Sequence, residues 1–283
     1  MRLHAYVLAG DPAWVAESIR SYYEVVDRIV VSYDQAGLSW AGIPLSVEES
    51  LRRLEQVDPD RKMVLLPGDH VDPTRHAMHV ETTQRQSALD AASEGADWVV
   101  QLDTDEIVPR LAVFQRVIRD AHEHGAHAVE FPARVLYTRT PRGRFLENCS
   151  RLWGDQANYP GPVAVRAGTT LSFARQAASA PLYRADLAPW STDPSHPQDA
   201  PVHQVLSRDE AILHMSWVRT SAQMNEKACV SGHASERNWP RELSGWNRRS
   251  RHPWASILAT PITKDPARRF RMASLGEYAG TVL

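Results

Sequence analysis

The chain has 283 residues, 43% of them hydrophobic and 23% charged, with a formal net charge of −2 at neutral pH. That length suits one large α/β unit or two intimately packed halves, and the balanced charge excludes the broad basic field on which non-specific nucleic-acid binding relies. No apolar run is long enough to span a bilayer, and Cys149 and Cys229, the two cysteines, have neither zinc-ribbon nor disulfide-framework spacing and fit a reducing cytoplasm.

The apolar run 3–8 reads as a first strand, too short for a signal peptide. Asp11 then suits a helix N-cap and Pro12 the first helical position, with Val15, Ile19, Tyr22 and Tyr23 at helical spacing. Ile29-Val30-Val31 is a second buried strand, ending at Asp34. Strand, helix and strand in about thirty residues make a βαβ unit and a parallel sheet, which puts Ala9-Gly10-Asp11 and Asp34 on one rim, at the carboxyl ends of the strands. A helix over 47–57, a short strand over 63–66 and a long helix over 76–94 closed by Gly95 follow. Residues 98–102 form a fourth strand that runs into Asp103-Thr104-Asp105-Glu106. A helix over 111–123 and strands at 128–131 and 135–137 come next. Residues 176–203, rich in Ala, Pro, Ser and Asp, form a loop long enough to act as a lid, and 211–217 is a late strand containing His214. The tail 237–283 mixes Trp239, Trp246 and Trp254 with many arginines. The expected architecture is α/β, a mostly parallel central sheet flanked by helices, in a single domain 1–283.

The acidic triplet is the strongest local signal. In extended backbone, residues two apart point the same way, so Asp103 and Asp105 can converge on one Mg²⁺ or Mn²⁺, hard ions that take carboxylate and phosphate oxygens. The plain alternative is a solvated acidic turn. Arg85 shares a helix face with Ala88, Leu89 and Ala92; it either snorkels or reaches an anion near Asp103. His214 is either a satisfied core histidine or a ligand beside the carboxylates. Lys227 is either solvated or a phosphate contact, with His233 close behind. The cluster Asp69, His70, Asp72, His76 and His79 has no fixed zinc spacing. Neither a Gly-x-Gly-x-x-Gly nor a P-loop nor a Gly-x-Ser-x-Gly elbow is present.

In order, these residues resemble the GT-A glycosyltransferases, in particular family-2-like enzymes. The resemblance rests on Glu81-Thr82-Thr83-Gln84-Arg85-Gln86, then Gly95-Ala96-Asp97-Trp98, then the strand into Asp103-Thr104-Asp105-Glu106. A second match is Ile212-Leu213-His214-Met215-Ser216-Trp217-Val218-Arg219, followed by Lys227 and Gly232-His233. It covers residues 1–110 well and 210–235 in part. What it implies is a GT-A type fold with a nucleotide-sugar-binding half (1–107) and an acceptor-binding half (108–283), and a metal-dependent hexosyltransferase. The donor is a nucleotide-diphosphate sugar, the acceptor a small soluble molecule or glycan, and Mn²⁺ or Mg²⁺ the cofactor, held by Asp103, Asp105 and His214. Ala9, Gly10, Asp11, Asp34, Arg85, Asp103, Thr104, Lys227 and His233 would meet the donor. If the reaction inverts, the acceptor proton needs a carboxylate, and Asp155, Asp209 and Glu210 are the candidates. The expected partners include neither nucleic acid nor membrane. The rival readings are a nucleotidyltransferase of similar fold and a non-catalytic sugar-binding module. Composition points to a high-GC bacterial source and a cytoplasmic location; the oligomeric state is not readable.

Overall fold

The apolar runs of the N-terminal part fold into parallel strands joined by helices. In chain order they are β1 (Leu3–Leu8), α1 (Val15–Arg20), β2 (Arg28–Asp34), α2 (Val47–Glu55), β3 (Met63–Gly68), α3 (Ala77–Ser93) and β4 (Trp98–Val100). The computed structural model describes residues 1–177, 181–187, 201–230 and 238–275. The chain continues through β5 (Glu106–Ile107), α4 (Leu111–Glu123), β6 (Ala128–Glu130), β7 (Ala133–Arg139), β8 (Phe145–Asn148), β9 (Ala164–Arg166), β10 (Leu171–Phe173), β11 (Gln176–Ala177), β12 (Leu182–Asp186), β13 (Gln204–Val205), β14 (Ile212–His214), α5 (Ser221–Val230), α6 (Trp239–Arg251), α7 (Pro253–Ala259) and β15 (Phe270–Ala273).

An eight-stranded sheet in the order β13-β12-β6-β9-β4-β1-β2-β3 forms the centre. Its pairs are parallel except where β9 runs antiparallel to β4 and β6. Side-chain alternation divides the core between the two faces. Ala5, Val7, Ile29, Val31 and Val100 meet Val15, Ile19, Phe114, Val117 and Ile118 of α1 and α4 on one side. On the other, Tyr6, Val30 and Val99 meet Ala88, Leu89 and Ala92 of α3. The fold is therefore mixed α/β, a large, mostly parallel sheet flanked by helices. A second sheet, β15-β8-β7-β14-β5, carries the C-terminal helices through Tyr137, Trp239, Trp246, Ile257 and Phe270. Among the described residues no helix is long and apolar enough to cross a membrane.

Several elements depart from the sequence expectation. Asp11 does not cap α1, which begins at Val15 with Trp14 as its uncapping neighbour; the Asp11 side chain goes to Ala13 N and Arg219 instead. Helix α3 agrees closely, with the His76 side chain accepting from Met78 N at its start and Gly95 at φ +74° past its end. Strand β4 stops at Val100, two residues early, although Gln101 N–H still donates to Val163 O beside β9 at 2.9 Å. The 176–203 segment is not one loop. It contains β11 and β12, and β12 pairs in parallel with β6 inside the central sheet. Its register at β6 leaves Tyr183 and Ala185 in the main core, a use that its mixed composition hid. Residues 178–180 and 188–200 of the expected lid lie outside the described residues.

Candidate functional site

The carboxyl ends of β1 and β2, the segment after β4, and β14 with α5 enclose a cavity of about 540 Å³. Ala9, Gly10, Asp11, Asp34, Arg85, Asp103, Thr104, Asp105, His214 and Lys227 all line it, so the structure gathers nearly every expected donor-site residue in one place. His233 lies outside the described residues. Parallel-sheet geometry explains the gathering, since loops leaving the carboxyl ends of neighbouring strands open toward the same rim.

The acidic triplet is not extended. Thr104 and Asp105 form a turn, closed by Glu106 N donating to Asp103 O at 3.0 Å. The two aspartates consequently serve separate partners. Asp103 Oδ1 accepts from Arg85 Nη2 at 2.6 Å, and Arg85 Nε donates to Glu81 at 2.8 Å. Arg175 Nη1 stands 3.8 Å from Asp103 Oδ2. Asp105 Oδ2 receives Lys227 Nζ and Arg219 Nη2, both at 3.1 Å, while its Oδ1 faces His214 Nε2 at 3.4 Å. Arg85 is thus buried and ion-paired rather than snorkelling.

Burial pushes the Asp103 carboxyl up, but Arg85 and Arg175 outweigh it and hold the group at about 2. Burial likewise opposes ionisation of Asp105, and Lys227, His214 and Arg219 overcome it, so that carboxyl stays well below the usual range. For His214, burial favours the neutral ring, yet the adjoining Asp105 carboxylate raises its pKa overall. Both aspartates are anionic at neutral pH, and each already has cationic partners.

Behind them stands a buried brace. Arg175, in the β10–β11 turn, donates through Nη1 and Nη2 to the two Glu106 oxygens at 2.5 and 2.7 Å, and to Gln101 O at 3.1 Å. Glu106 Oε2 in turn accepts from Asp103 N at 3.0 Å. Glu106 therefore orients the triplet and does not face the cavity.

Asp34 lines the same cavity. Its Oδ1 accepts from Ala36 N and Leu38 N, and its Oδ2 from His70 N. The carboxylate shapes the loop after β2 before anything else. Gln84 links Ser32 and Trp40: its Nε2 donates to Ser32 Oγ at 3.2 Å and its Oε1 accepts from Trp40 Nε1 at 2.7 Å. At Gly10 a Cβ would come within 3.1 Å of Leu45 Cδ1, so a side chain there would crowd the wall.

The resemblance implies a divalent cation here. Mg²⁺-class sites commonly take one or two carboxylates and complete the shell with substrate phosphates and water. Adjacent ligands of an octahedral ion, each about 2.1 Å from it, stand about 3.0 Å apart; Asp105 Oδ1 and His214 Nε2, at 3.4 Å, are somewhat wider than that and are the pair that comes near it. The expected three-ligand set is not assembled, because Asp103 turns to Arg85 and Arg175. Among the described residues no three His, Cys, Asp or Glu side chains cluster as a metal site, and this includes Asp69, His70, Asp72, His76 and His79.

None of the three base candidates lines the cavity. Asp155 is taken by Arg271 at 2.5 Å and by Arg208 at 3.6 Å. Asp209 is exposed, 3.9 Å from Arg134, and Glu210 closes a capping box with Ser207. All three sit around the second sheet, where sequence gave no means of placing them. Conversely, Arg175 and Arg219 went unnoticed as site residues. Arg219 lies inside the quoted 212–219 match, which was its available signal. Arg175 had none: its partners Glu106 and Gln101 are 69 and 74 residues away along the chain.

The sequence matches no family model and no curated protein. Solved structures similar to it include a mannose-6-phosphate isomerase from Helicobacter pylori, at 11% identity over 51% of this chain and 58% of that one, TM-score 0.32. Others are a 4-diphosphocytidyl-2C-methyl-D-erythritol synthase from Anaerococcus prevotii (9% identity, 59% of this chain and 71% of that one, TM-score 0.32) and a mannose-1-phosphate geranyltransferase from Thermus thermophilus (13%, 60% and 51%, TM-score 0.29). The chain thus spans under two thirds of the first of these proteins, and likenesses this distant carry no argument about activity.

Proposed function

We propose that the chain is a transferase acting on a nucleotide-diphosphate sugar, and specifically a metal-dependent glycosyltransferase of the hexosyl type. The observation that supports it is the convergence of Asp105, His214, Lys227 and Arg85 on one cavity at the carboxyl rim of a parallel sheet, with Arg219 bonded to Asp105. In this reading Asp105 and His214 hold Mn²⁺ or Mg²⁺, which when bound supplies Lewis-acid stabilisation of the departing diphosphate. Lys227 supplies a mobile ammonium to the same leaving group, released from Asp105 and Ser216 as phosphate oxygens arrive. Arg219 and Arg85 fix the carboxylates, so little reorganisation accompanies the reaction. Asp34, through its loop, and the Ala9–Asp11 turn border the nucleoside. The acceptor is a small molecule or glycan.

Nucleotidyl transfer is the second reading. Three cations, Arg85, Arg175 and Lys227, line this one cavity, as a triphosphate substrate would ask. Against it, the turn after β1 holds Asp11 and no basic residue. A screen of nucleotide sugars with Mn²⁺ and with Mg²⁺ tests both. Release of nucleoside diphosphate from the donor, suppressed by chelator, is the expected result. Pyrophosphate release from a nucleoside triphosphate and a sugar phosphate would replace the first reading with the second. Binding of free sugar alone, indifferent to nucleotide and metal, would leave a non-catalytic module.

A further inference from the structure

The C-terminal part carries charge unlike the rest of the chain. Residues 238–275 hold eight Arg and Lys against two acidic residues, within a chain whose net charge is −2. Both acids, Glu242 and Asp265, are engaged by Arg268. Within the segment the surplus is positive, although Arg249 is buried on Tyr137 and Arg271 is engaged by Glu147 and Asp155.

Helix α7 buries Ile257 and turns Trp254 and Leu258, one helical turn apart, to the outside. Ile262 follows in the 3₁₀ turn Thr260–Ile262. Beside this turn packs the short turn Arg151–Trp153, whose Trp153 Nε1 donates to Ile257 O at 3.0 Å. Leu152 and Trp153 both adopt left-handed backbone, φ +58° and +60°, which disfavours residues with a side chain. Leu152, Leu258 and Ile262, at 76%, 73% and 83% exposure, are the most exposed large hydrophobics among the described residues, and all belong to this one region. Arg142, Arg144, Arg151 and Arg251 are exposed around it. Arg142 and Arg144 join Trp254 in lining a cavity of about 460 Å³.

We propose that this face docks the protein peripherally on an anionic lipid surface. Leu152, Leu258 and Ile262 enter the headgroup–acyl boundary, Trp153 and Trp254 settle at the interface that indoles favour, and the arginines meet lipid phosphates. Charge decides between occupants. A second copy across a two-fold axis would set the arginine rim against itself. A nucleic acid would match the arginines and leave Leu258 and Ile262 facing phosphates. Only an anionic bilayer satisfies the apolar centre and the basic rim at once. This stands apart from the transferase reading and differs from the expectation of no membrane, which rested on the lack of a spanning run.

Co-sedimentation of the full chain with phosphatidylglycerol vesicles and with phosphatidylcholine vesicles tests it. The expected result is binding to the anionic vesicles that weakens as salt is raised, with little binding to the zwitterionic ones. Leu258→Asp and Ile262→Asp, both at exposed positions, should each lower the anionic-vesicle affinity by about tenfold or more. Arg142→Glu and Arg144→Glu should lower it by about fivefold each. Unchanged melting temperatures would show that the variants fold. Equal partition between the two lipids, no binding to phosphatidylglycerol at low salt, or affinity unaltered in the Asp variants would overturn the proposal. So would a dimer in light scattering that Leu258→Asp dissolves, or duplex-DNA binding that survives the same change.

Discussion

Lys227 and Asp105 divide the chemistry of the cavity from its stability. The Lys227 side chain is partly open to the cavity and holds Asp105 and Ser216 by single hydrogen bonds. Lys227→Ala should lower kcat/KM for the donor by about 10²-fold, the usual cost of one preorganised donor to a developing anion, while the thermal melt moves little. Steady-state kinetics beside a melt checks both parts. Asp105 is different, because it lies against Arg219, Lys227 and His214 in a nearly water-free position. Asp105→Ala leaves the buried Arg219 guanidinium with Asp11 as its one carboxylate, and should cost about 3–5 kcal/mol of stability besides activity. Asp105→Asn keeps the shape and is the better functional variant. Its activity should fail to recover at high Mn²⁺ if the carboxylate is a ligand, and full activity in Asp105→Asn would remove the metal reading. Legibility at this scale followed chain proximity. Arg85 was readable because its partner Asp103 closely follows the next strand. Asp155, Asp209 and Glu210 do not line the cavity, a matter of orientation, which is not visible in sequence as acidity is.

Among the elements, the β10–β11 turn exists to deliver Arg175. The guanidinium is fully enclosed, and burial would lower its pKa were Glu106 and Asp103 not beside it to keep it firmly charged. It ties the turn to the segment between β4 and β5, and so holds the acidic triplet in its bend. Arg175→Met should leave Glu106 buried and unpaired and destabilise the fold by about 3–5 kcal/mol. Hydrogen exchange should then quicken across 101–107 and across 171–177 together. Faster exchange in the β10–β11 turn alone would mean that the brace does not support the triplet. Periodicity found the long elements, α3 and α4 and the strands of the βαβ unit, because their patterns repeat over many residues. It missed β12, five residues whose reason to be a strand is the free edge of β6. A short strand is specified by its neighbour more than by its own residues.

For the molecule as a whole, both sheets rest on apolar burial. The second is in addition knotted by Glu147 of β8, which accepts from Arg134 of β7, from Arg208 and from Arg271 of β15. Burial pushes the Glu147 carboxyl up, but the three guanidinium groups outweigh it and bring it from 4.5 to about 2. A folded pKa below the unfolded one means that the ionised group stabilises the fold above about pH 4.5, and that this contribution drains away as pH falls toward 2. Glu147→Gln should therefore melt well below the parent at pH 7, and the two melting curves should draw together between pH 5 and 2. A gap that ignores pH would show that the ionic knot is not the source of the difference.

The linear chain by itself determined the βαβ beginning, the helix that carries Arg85, and the placing of an acidic triplet after a buried strand. These are local patterns, written in apolar spacing and end signals within a few dozen residues. Only the tertiary structure decided that the triplet bends, that its two carboxylates part company, and that Arg175 and Arg219 arrive from distant segments to neutralise them. The physical reason is range: hydrophobic periodicity acts between neighbours in sequence, whereas a buried charge is stabilised by whichever opposite charge the completed fold brings within about 4 Å.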